Sequence, residues 1–565
     1  MTGRRIILVF GLLLTVNPAY AADSSPGHGG LLLVGGYLPV CSSMSVEQCR
    51  KSVDWAPAAR HGARFQLSKP AIVRWQDAVG PSIAPSAELV QALNRLAGRN
   101  PLPMTAFELA EWLRQELPTS LSPDRLSDPA WLALRDHLEL PRTDPSGLER
   151  VEALRLGASR DQASVEIFQR FVAMAGKAGR TERPTIVVLT TSSRDPTDAV
   201  DFYLQAFEQA GARSIWLPLD AALRAARADG ACARLAEYQA RHLGVYERWR
   251  VAPQRFMEQL AFCGQDDAGL ELIEKADGIF FNGGDQSLTL AALVDEDGQP
   301  TRELERLRQR FDAGTLAVGG TSAGSAVQAS GFMLTGGGNR EALAHGPNLQ
   351  PPTPPGCDRD GSCPEGVRAG QLTLRSGGGL GLFTPGLVDT HFSERMRQFR
   401  LAVALKSLPA RVAVGVDETT ALEVNAGSGP DRLKLAAHGA AAAWIMVDDR
   451  GRADDQRLLL HRLPAGIGLT MAADGRVLET GLESWSRPAA SDTAGDQPCL
   501  QADELDSYNA LLETSPLSTS LCVEMTDSLG KRHRLELTAD QDSRKARIAG
   551  SAVLVDWRLG LNPMP

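Results

Sequence analysis

A short apolar run, Leu316-Ala-Val318, leads into Gly320-Thr-Ser322-Ala-Gly324 and on into Ser325-Ala-Val327. Few backbones satisfy that order. Glycines on both sides of a serine permit a sharp strand-to-helix turn that holds the hydroxyl out at the carboxyl end of a sheet. There it lies near the positive end of the next helix, beside backbone N–H groups suited to an oxyanion. Ser322 is therefore the candidate nucleophile of a serine hydrolase. The pentapeptide alone is weak in a chain with 54 glycines. The strand before it and the helix after it carry the reading.

Similar apolar runs recur at 30–35, 185–189, 214–217, 278–281, 387–388 and 412–416, most of them ending in Gly, Thr, Asn or Asp and separated by helical patterns. This rhythm predicts a doubly wound, mostly parallel α/β sheet with functional loops at the carboxyl ends of its strands. Two stretches interrupt it. Residues 41–180 read as a helical insertion, with a capping box at Thr105-Ala-Phe-Glu108 ahead of apolar Leu109, Trp112, Leu113 and Leu117. A second helical stretch covers about 219–276. The proline-rich segment 351–364 reads as a loop stapled by Cys357 and Cys363, and 481–565 as a small C-terminal appendage to a catalytic domain of 22–480.

The start of the chain addresses the compartment. Arg4-Arg5, an apolar run over 6–14 and Ala19-Tyr20-Ala21 form a signal peptide, 1–21, so a secreted or periplasmic protein is expected. Eight cysteines suit an oxidising compartment, and short loops favour Cys41–Cys49, Cys232–Cys263, Cys357–Cys363 and Cys499–Cys522. A net charge of −9 argues against a nucleic-acid or anionic-membrane partner. No later run reaches the ~20 apolar residues of a membrane span. Without Cys-x-x-Cys or His-Glu-x-x-His, neither a metal nor a cofactor is expected.

A serine needs a base. His391 follows the strand end in Gly386-Leu-Val-Asp389-Thr390-His391, on the rim where Ser322 is expected. Arg395, Arg397 and Arg400 follow it closely. They suit a carboxylate-bearing substrate, or else form a solvated helix face paired with acids. Gly283-Gly284-Asp285-Gln286 follows another strand, so the N–H groups of Gly284 and Ala323 are candidate oxyanion donors and Gln286 a substrate contact. A tight loop needing glycine is the alternative there.

Gly283-Gly-Asp-Gln286, Gly320-Thr-Ser-Ala-Gly324, Asp389-x-His-Phe392 with its three arginines, and Gly415-Val-Asp-Glu-Thr-Thr-Ala421 occur in that order, after Thr190-Thr-Ser-Ser-Arg-Asp-Pro196. The set resembles the cyanophycinase family of serine peptidases, relatives of the aspartyl dipeptidases, over about 29–36 and 183–450. The resemblance implies a flavodoxin-like fold and hydrolysis of cyanophycin, an aspartate polymer bearing arginines, to β-Asp-Arg dipeptides. It implies Ser322 as nucleophile, His391 as base and a carboxylate after a Gly-rich turn, for which Glu341 is nearest and Asp389 the substitute. Gln286, Asp389, Thr390, Arg395, Arg397 and Arg400 would shape a pocket for a peptide or polymer substrate, and a homodimer is an assembly to consider. Thr390 departs from the Gln that cyanophycin-degrading members carry before the histidine. The Ser322–His391 span is also longer than the family's, and the 351–364 loop accounts for the excess.

Three other readings compete. Arg60-His61-Gly62-Ala63-Arg64 resembles the opening motif of histidine acid phosphatases, but Pro57 interrupts the strand expected before it and no histidine precedes an aspartate. An α/β-hydrolase esterase would share the elbow, yet His28-Gly-Gly30 lies too early to supply its oxyanion loop. A catalytically inactive peptide-binding relative would require that His391 not reach Ser322.

Overall fold

A computed structural model describes residues 30–99, 101–350, 357, 363–426, 432–450, 457–472, 474–480, 486, 499–502, 512, 520–539, 543–548 and 551–564. The signal-peptide reading of 1–21 lies outside the described residues, as does most of the 351–364 loop. Five strands come first: β1 (Leu31–Val34), β2 (Thr185–Leu189), β3 (Arg213–Trp216), β4 (Gly278–Phe281) and β5 (Ala317–Thr321). They pair in the order β1-β5-β4-β2-β3, all parallel. β1, β2, β4 and β5 are buried throughout, with both faces covered, whereas the edge strand β3 is largely exposed. Leu31 and Leu33 enter one core, with the helices between β3 and β5, while Leu32 and Val34 enter another. The second core includes Phe168 and Phe171 of the helix Gln162–Gly179, packed edge-on against Phe207 and Phe280.

A hairpin follows, β6 (Phe332–Gly336) with β7 (Thr373–Ser376), and then β8 (Gly386–Thr390) and β9 (Val412–Val416), which pair in parallel. Residues 387–388 and 412–416, expected to extend the parallel sheet, both belong instead to a second sheet. A continuous apolar run reports burial on both faces and is silent about which sheet supplies the neighbours. The chain then crosses back, because β10 (Thr420–Ala426) runs antiparallel to β1 and continues the first sheet through β11 (Arg432–Gly439).

The later strands alternate between the two sheets. β12 (Ala442–Val447) and β13 (Arg457–Pro464) join β9, whereas β14 (Gly468–Ala472) and β15 (Val477–Thr480) join β11. Beyond 480, where a small appendage was expected, the second sheet continues. The long strand Ser551–Pro563 pairs with β13 and with Arg532–Thr538, and Leu554, Trp557 and Leu559 share a core with Phe392, Phe399 and Trp444.

The helical insertion builds its own core, in which Trp75, Leu93, Leu109, Leu113 and Leu134 are buried. Its capping box forms: Glu108 N–H donates to Thr105 Oγ1 at 3.2 Å and Thr105 N–H to Glu108 Oε2 at 2.7 Å. The helix Gln162–Gly179, counted within the insertion from sequence, packs instead on the parallel sheet. All four cysteine pairs form as the short-loop argument expected. Among the described residues no helix is long and apolar enough to cross a membrane, and no cluster of His, Cys, Asp or Glu could hold a metal.

Candidate active site

The two sheets meet where β1, β4 and β5 of the first and β8 and β9 of the second end. At the end of β5, Ser322 adopts φ 52° and ψ −115°, a backbone state that costs a non-glycine residue about 1–3 kcal/mol. Ser322 N–H donates to Val34 O at 2.9 Å, tying the turn to β1. The flanking glycines are obligatory by geometry. A Cβ on Gly320 would stand 2.2 Å from Gly324 O, and one on Gly324 would stand 2.4 Å from Phe281 O. The helix that follows is one short turn, Ala323–Ala326, and Ala323 N–H has no acceptor within it. Gly283 passes beside the serine, since a Cβ there would lie 3.4 Å from Ser322 Cβ. Gly284 next to it is held at φ 144°.

His391 sits directly after β8, with φ 47°, and its N–H donates to Gly35 O at 2.8 Å. Its Nε2 lies 2.7 Å from Ser322 Oγ, and its Nδ1 lies 2.6 Å from Glu418 Oε1. With Nδ1–H donating to Glu418, Nε2 is free to accept the serine proton. Burial lowers the proton affinity of the imidazole; Glu418 opposes that, and Arg395 and Arg397 add to it. The net direction is down, which keeps His391 in its basic form near neutral pH.

The carboxylate expected at the imidazole was Glu341, with Asp389 in reserve. The structure places neither there. Glu341 lies on the helix Asn339–His345, with its carboxylate 3.5 Å from His345 Nε2. Asp389 is buried and engaged by Arg400, through Nε at 2.8 Å and Nη2 at 2.5 Å, and by Arg397 at 3.2 Å. Burial alone would raise its carboxyl, but the two guanidinium groups hold it below the ordinary range. Sequence reasoning misses Glu418, although Gly415-Val-Asp-Glu418 is one of the motifs that carry the resemblance. It follows β9 as His391 follows β8, and Thr390 and Val416 are register partners in that parallel pair. Gly36 was also missed: a Cβ there would stand 2.2 Å from His391 Cε1, so only glycine lets the imidazole lie against the chain leaving β1.

The arginines divide. Arg400 is buried, and besides Asp389 it donates to Gly337 O at 2.6 Å. Arg397 donates to the carbonyl of buried Thr390 at 2.5 Å, and burial pulls its guanidinium down to about 10 against the opposing charge of Asp389. Arg395 is exposed, and among the described residues its side chain has no hydrogen bond or ion pair. Gln286 Nε2 donates to Leu334 O at 2.7 Å, joining the Gly-Gly loop to β6. Behind Glu418, Asp417 accepts from Ser393 N–H at 2.9 Å, Ala442 N–H at 3.1 Å and Trp444 Nε1–H at 3.2 Å. Glu394 lies beside them with a buried Oε2 that has no hydrogen-bond partner, and burial with the charges of Asp417 and Glu418 raises its carboxyl to about 7. The phosphatase-like motif is engaged structurally: Arg60 pairs with Asp198 and His61 Nδ1 lies 3.1 Å from Ser43 O.

A curated cyanophycinase of Geminocystis herdmanii (strain PCC 6308) is 28% identical over 272 residues, which are 48% of this chain and 73% of that protein. One from Trichormus variabilis is 26% identical over 272 residues, covering 48% of this chain and 66% of that protein. One from Synechococcus elongatus is 35% identical over 151 residues, 27% of this chain and 37% of that protein. A solved peptidase from an acI-B1 Actinobacterium aligns with TM-score 0.31 and 18% identity, covering 55% of this chain and 91% of that one. No family model matches the chain.

Proposed function

The chain is a relative of the cyanophycinase family, and from that premise we propose that it is an exported serine-type peptidase cleaving cyanophycin or related β-aspartyl peptides. One observation carries the chemistry: Ser322 Oγ, His391 and Glu418 form a continuous hydrogen-bonded relay with both links at 2.7 Å or less. His391 Nε2 takes the proton as Ser322 Oγ bonds to the scissile carbonyl carbon. The N–H groups of Gly284 and Ala323 hold the oxyanion, and Glu418 stabilises the imidazolium. The C–N bond then breaks, the amine leaves with the proton from His391, and water attacks the acyl-enzyme by the same path in reverse.

Arg395 is the group for a substrate carboxylate, since Arg397 and Arg400 are committed to Asp389 and the backbone. Four disulfides suit an oxidising compartment and support export. We read the five parallel strands as a flavodoxin-like arrangement whose order reverses between β2 and β4.

The test is incubation with insoluble cyanophycin, products being identified by mass spectrometry and Ser322→Ala serving as control. Release of β-Asp-Arg by the parent and a loss of at least about 10³-fold in the variant are expected. No release, with Ser322 still labelled by a serine-directed phosphonate, discards cyanophycin and keeps the hydrolase. Turnover by Ser322→Ala above about 1% of the parent rate removes Ser322 from its role.

A further inference from the structure

The helical insertion has no counterpart in the resemblance to the cyanophycinase family, yet it is joined to the catalytic layer by buried charge. Asp136 and Glu139 stand at the end of its helix Asp128–Leu138, and Arg142 follows. All three are buried. They face the loop after β2, where Arg194 meets Asp136 through two bonds of 2.8 Å. In the same loop Asp195 Oδ2 accepts from Arg142 at 3.0 Å and from Arg248 at 2.7 Å. Arg248 also reaches Glu139, at 3.1 Å. Charges removed from water in this way hold a fixed geometry, because each would be left uncompensated if its partner moved.

The other side of that loop shapes the Gly-Gly turn. Ser192 N–H donates to Asn282 Oδ1 at 3.1 Å, and Asn282 Nδ2 donates to Ser193 Oγ at 2.6 Å. Asp285 N–H donates to Ser192 O at 2.8 Å. The fit is closest at Gly284, where a Cβ would fall 2.0 Å from Ser192 O. Ser192 Oγ and Thr191 Oγ1 both meet Thr289 Oγ1, at 2.7 and 2.9 Å, in the helix that continues the turn. The loop thus has one face fixed to the insertion and the other serving as template for residues 282–285.

We propose that the insertion is a clamp that sets the Gly284 N–H for transition-state binding, with Arg194 and Asp195 as its positioning residues. The proposal rests on the reading of Gly284 as an oxyanion donor. A donor displaced by a fraction of an ångström weakens the transition state more than the ground state, so kcat falls and KM does not.

The experiment uses the full chain with Arg194→Met, Arg194→Lys and Asp195→Asn. Steady-state kinetics are measured, together with the affinities of a peptide aldehyde bearing an aspartyl acyl group and of the matching alcohol. The aldehyde adds Ser322 and places an oxyanion in the hole, whereas the alcohol does not. Arg194 has a side chain 29% exposed, so its variants decide the matter if Asp195→Asn fails to fold. Expected for Arg194→Met are a fall of about 10-fold in kcat, KM within about twofold, aldehyde affinity about 10-fold weaker and alcohol affinity unchanged. Arg194→Lys should fall between. Folded variants that keep both affinities, or lose both equally, overturn the clamp. A parent that binds the aldehyde no more tightly than the alcohol removes the oxyanion reading itself, and the clamp with it.

Discussion

The two halves of the candidate site are fixed by different physics. On the side of the parallel sheet, Ser322 is held by close backbone approach. Gly320 and Gly324 leave no room for a side chain, and the strained serine backbone persists because the chain around it is locked. On the side of the second sheet, His391 and Glu418 are held by buried charge. Asp389 gathers Arg397 and Arg400 two residues before His391, and Asp417 gathers three N–H groups directly before Glu418. Sterically fixed groups fail when anything is added. Electrostatically fixed groups fail when a partner is removed or a proton moves.

The largest expected effect lies within the second half. Glu418→Gln should lower kcat by about 10³-fold, because the amide no longer stabilises the imidazolium or selects its tautomer. Glu341→Gln should stay within about twofold of the parent, since its carboxylate meets His345 and not His391. Equal losses in both variants would sink the assignment of Glu418. The pH profile sharpens the test. Glu418 raises the proton affinity of His391 against the burial that lowers it, so removing its charge should move the acid limb of kcat/KM to lower pH.

Next in size are two stability effects that set the halves against each other. Arg400→Met leaves buried Asp389 with Arg397 alone and should cost about 3–5 kcal/mol in urea unfolding, the usual penalty for halving a buried ion pair. Gly324→Ala adds one carbon against Phe281 O and Asn282 O, both backbone atoms that cannot rotate away. Overpacking of that kind costs about 1–3 kcal/mol and displaces Ser322, so activity should be lost out of proportion to stability. An active, fully stable Gly324→Ala protein would mean that the elbow is not sterically fixed.

How much was legible beforehand follows the same division. The serine turn was readable because its requirements are local: glycine spacing, an apolar strand before and a short helix after. His391 was readable from its place at a strand end. The carboxylate was not, because Glu418 reaches the imidazole only through the pairing of β8 with β9 and of β1 with β10. Glu341, the first acid after the Gly-rich turn, gives no sign in the sequence that its helix leads away from the imidazole. The second sheet stayed hidden for a related reason, since its pairs join residues as distant as Leu460 and Trp557. Gly36 was unreadable because the ring it accommodates arrives from far along the chain.

The smallest effect isolates the electrostatic half by pH alone. The Glu394 carboxyl is raised from 4.5 to about 7 by burial and by Asp417 and Glu418. Between those two values the folded chain holds a proton there that the unfolded chain has released. Stability from this group is therefore present below about 4.5 and is lost as pH rises through about 7. Glu394→Gln keeps the neutral shape and cannot ionise. Its unfolding temperature should match the parent at pH 5, where little of that loss has accrued, and exceed it by a few degrees at pH 8. The same comparison on the steric side predicts no such divergence, because the atoms nearest a Cβ at Gly320 or Gly324 are backbone atoms that do not titrate. A Glu394→Gln protein no more stable than the parent at pH 8 would show that the three carboxyls behind His391 do not repel one another, and that this half is held by packing as the serine half is.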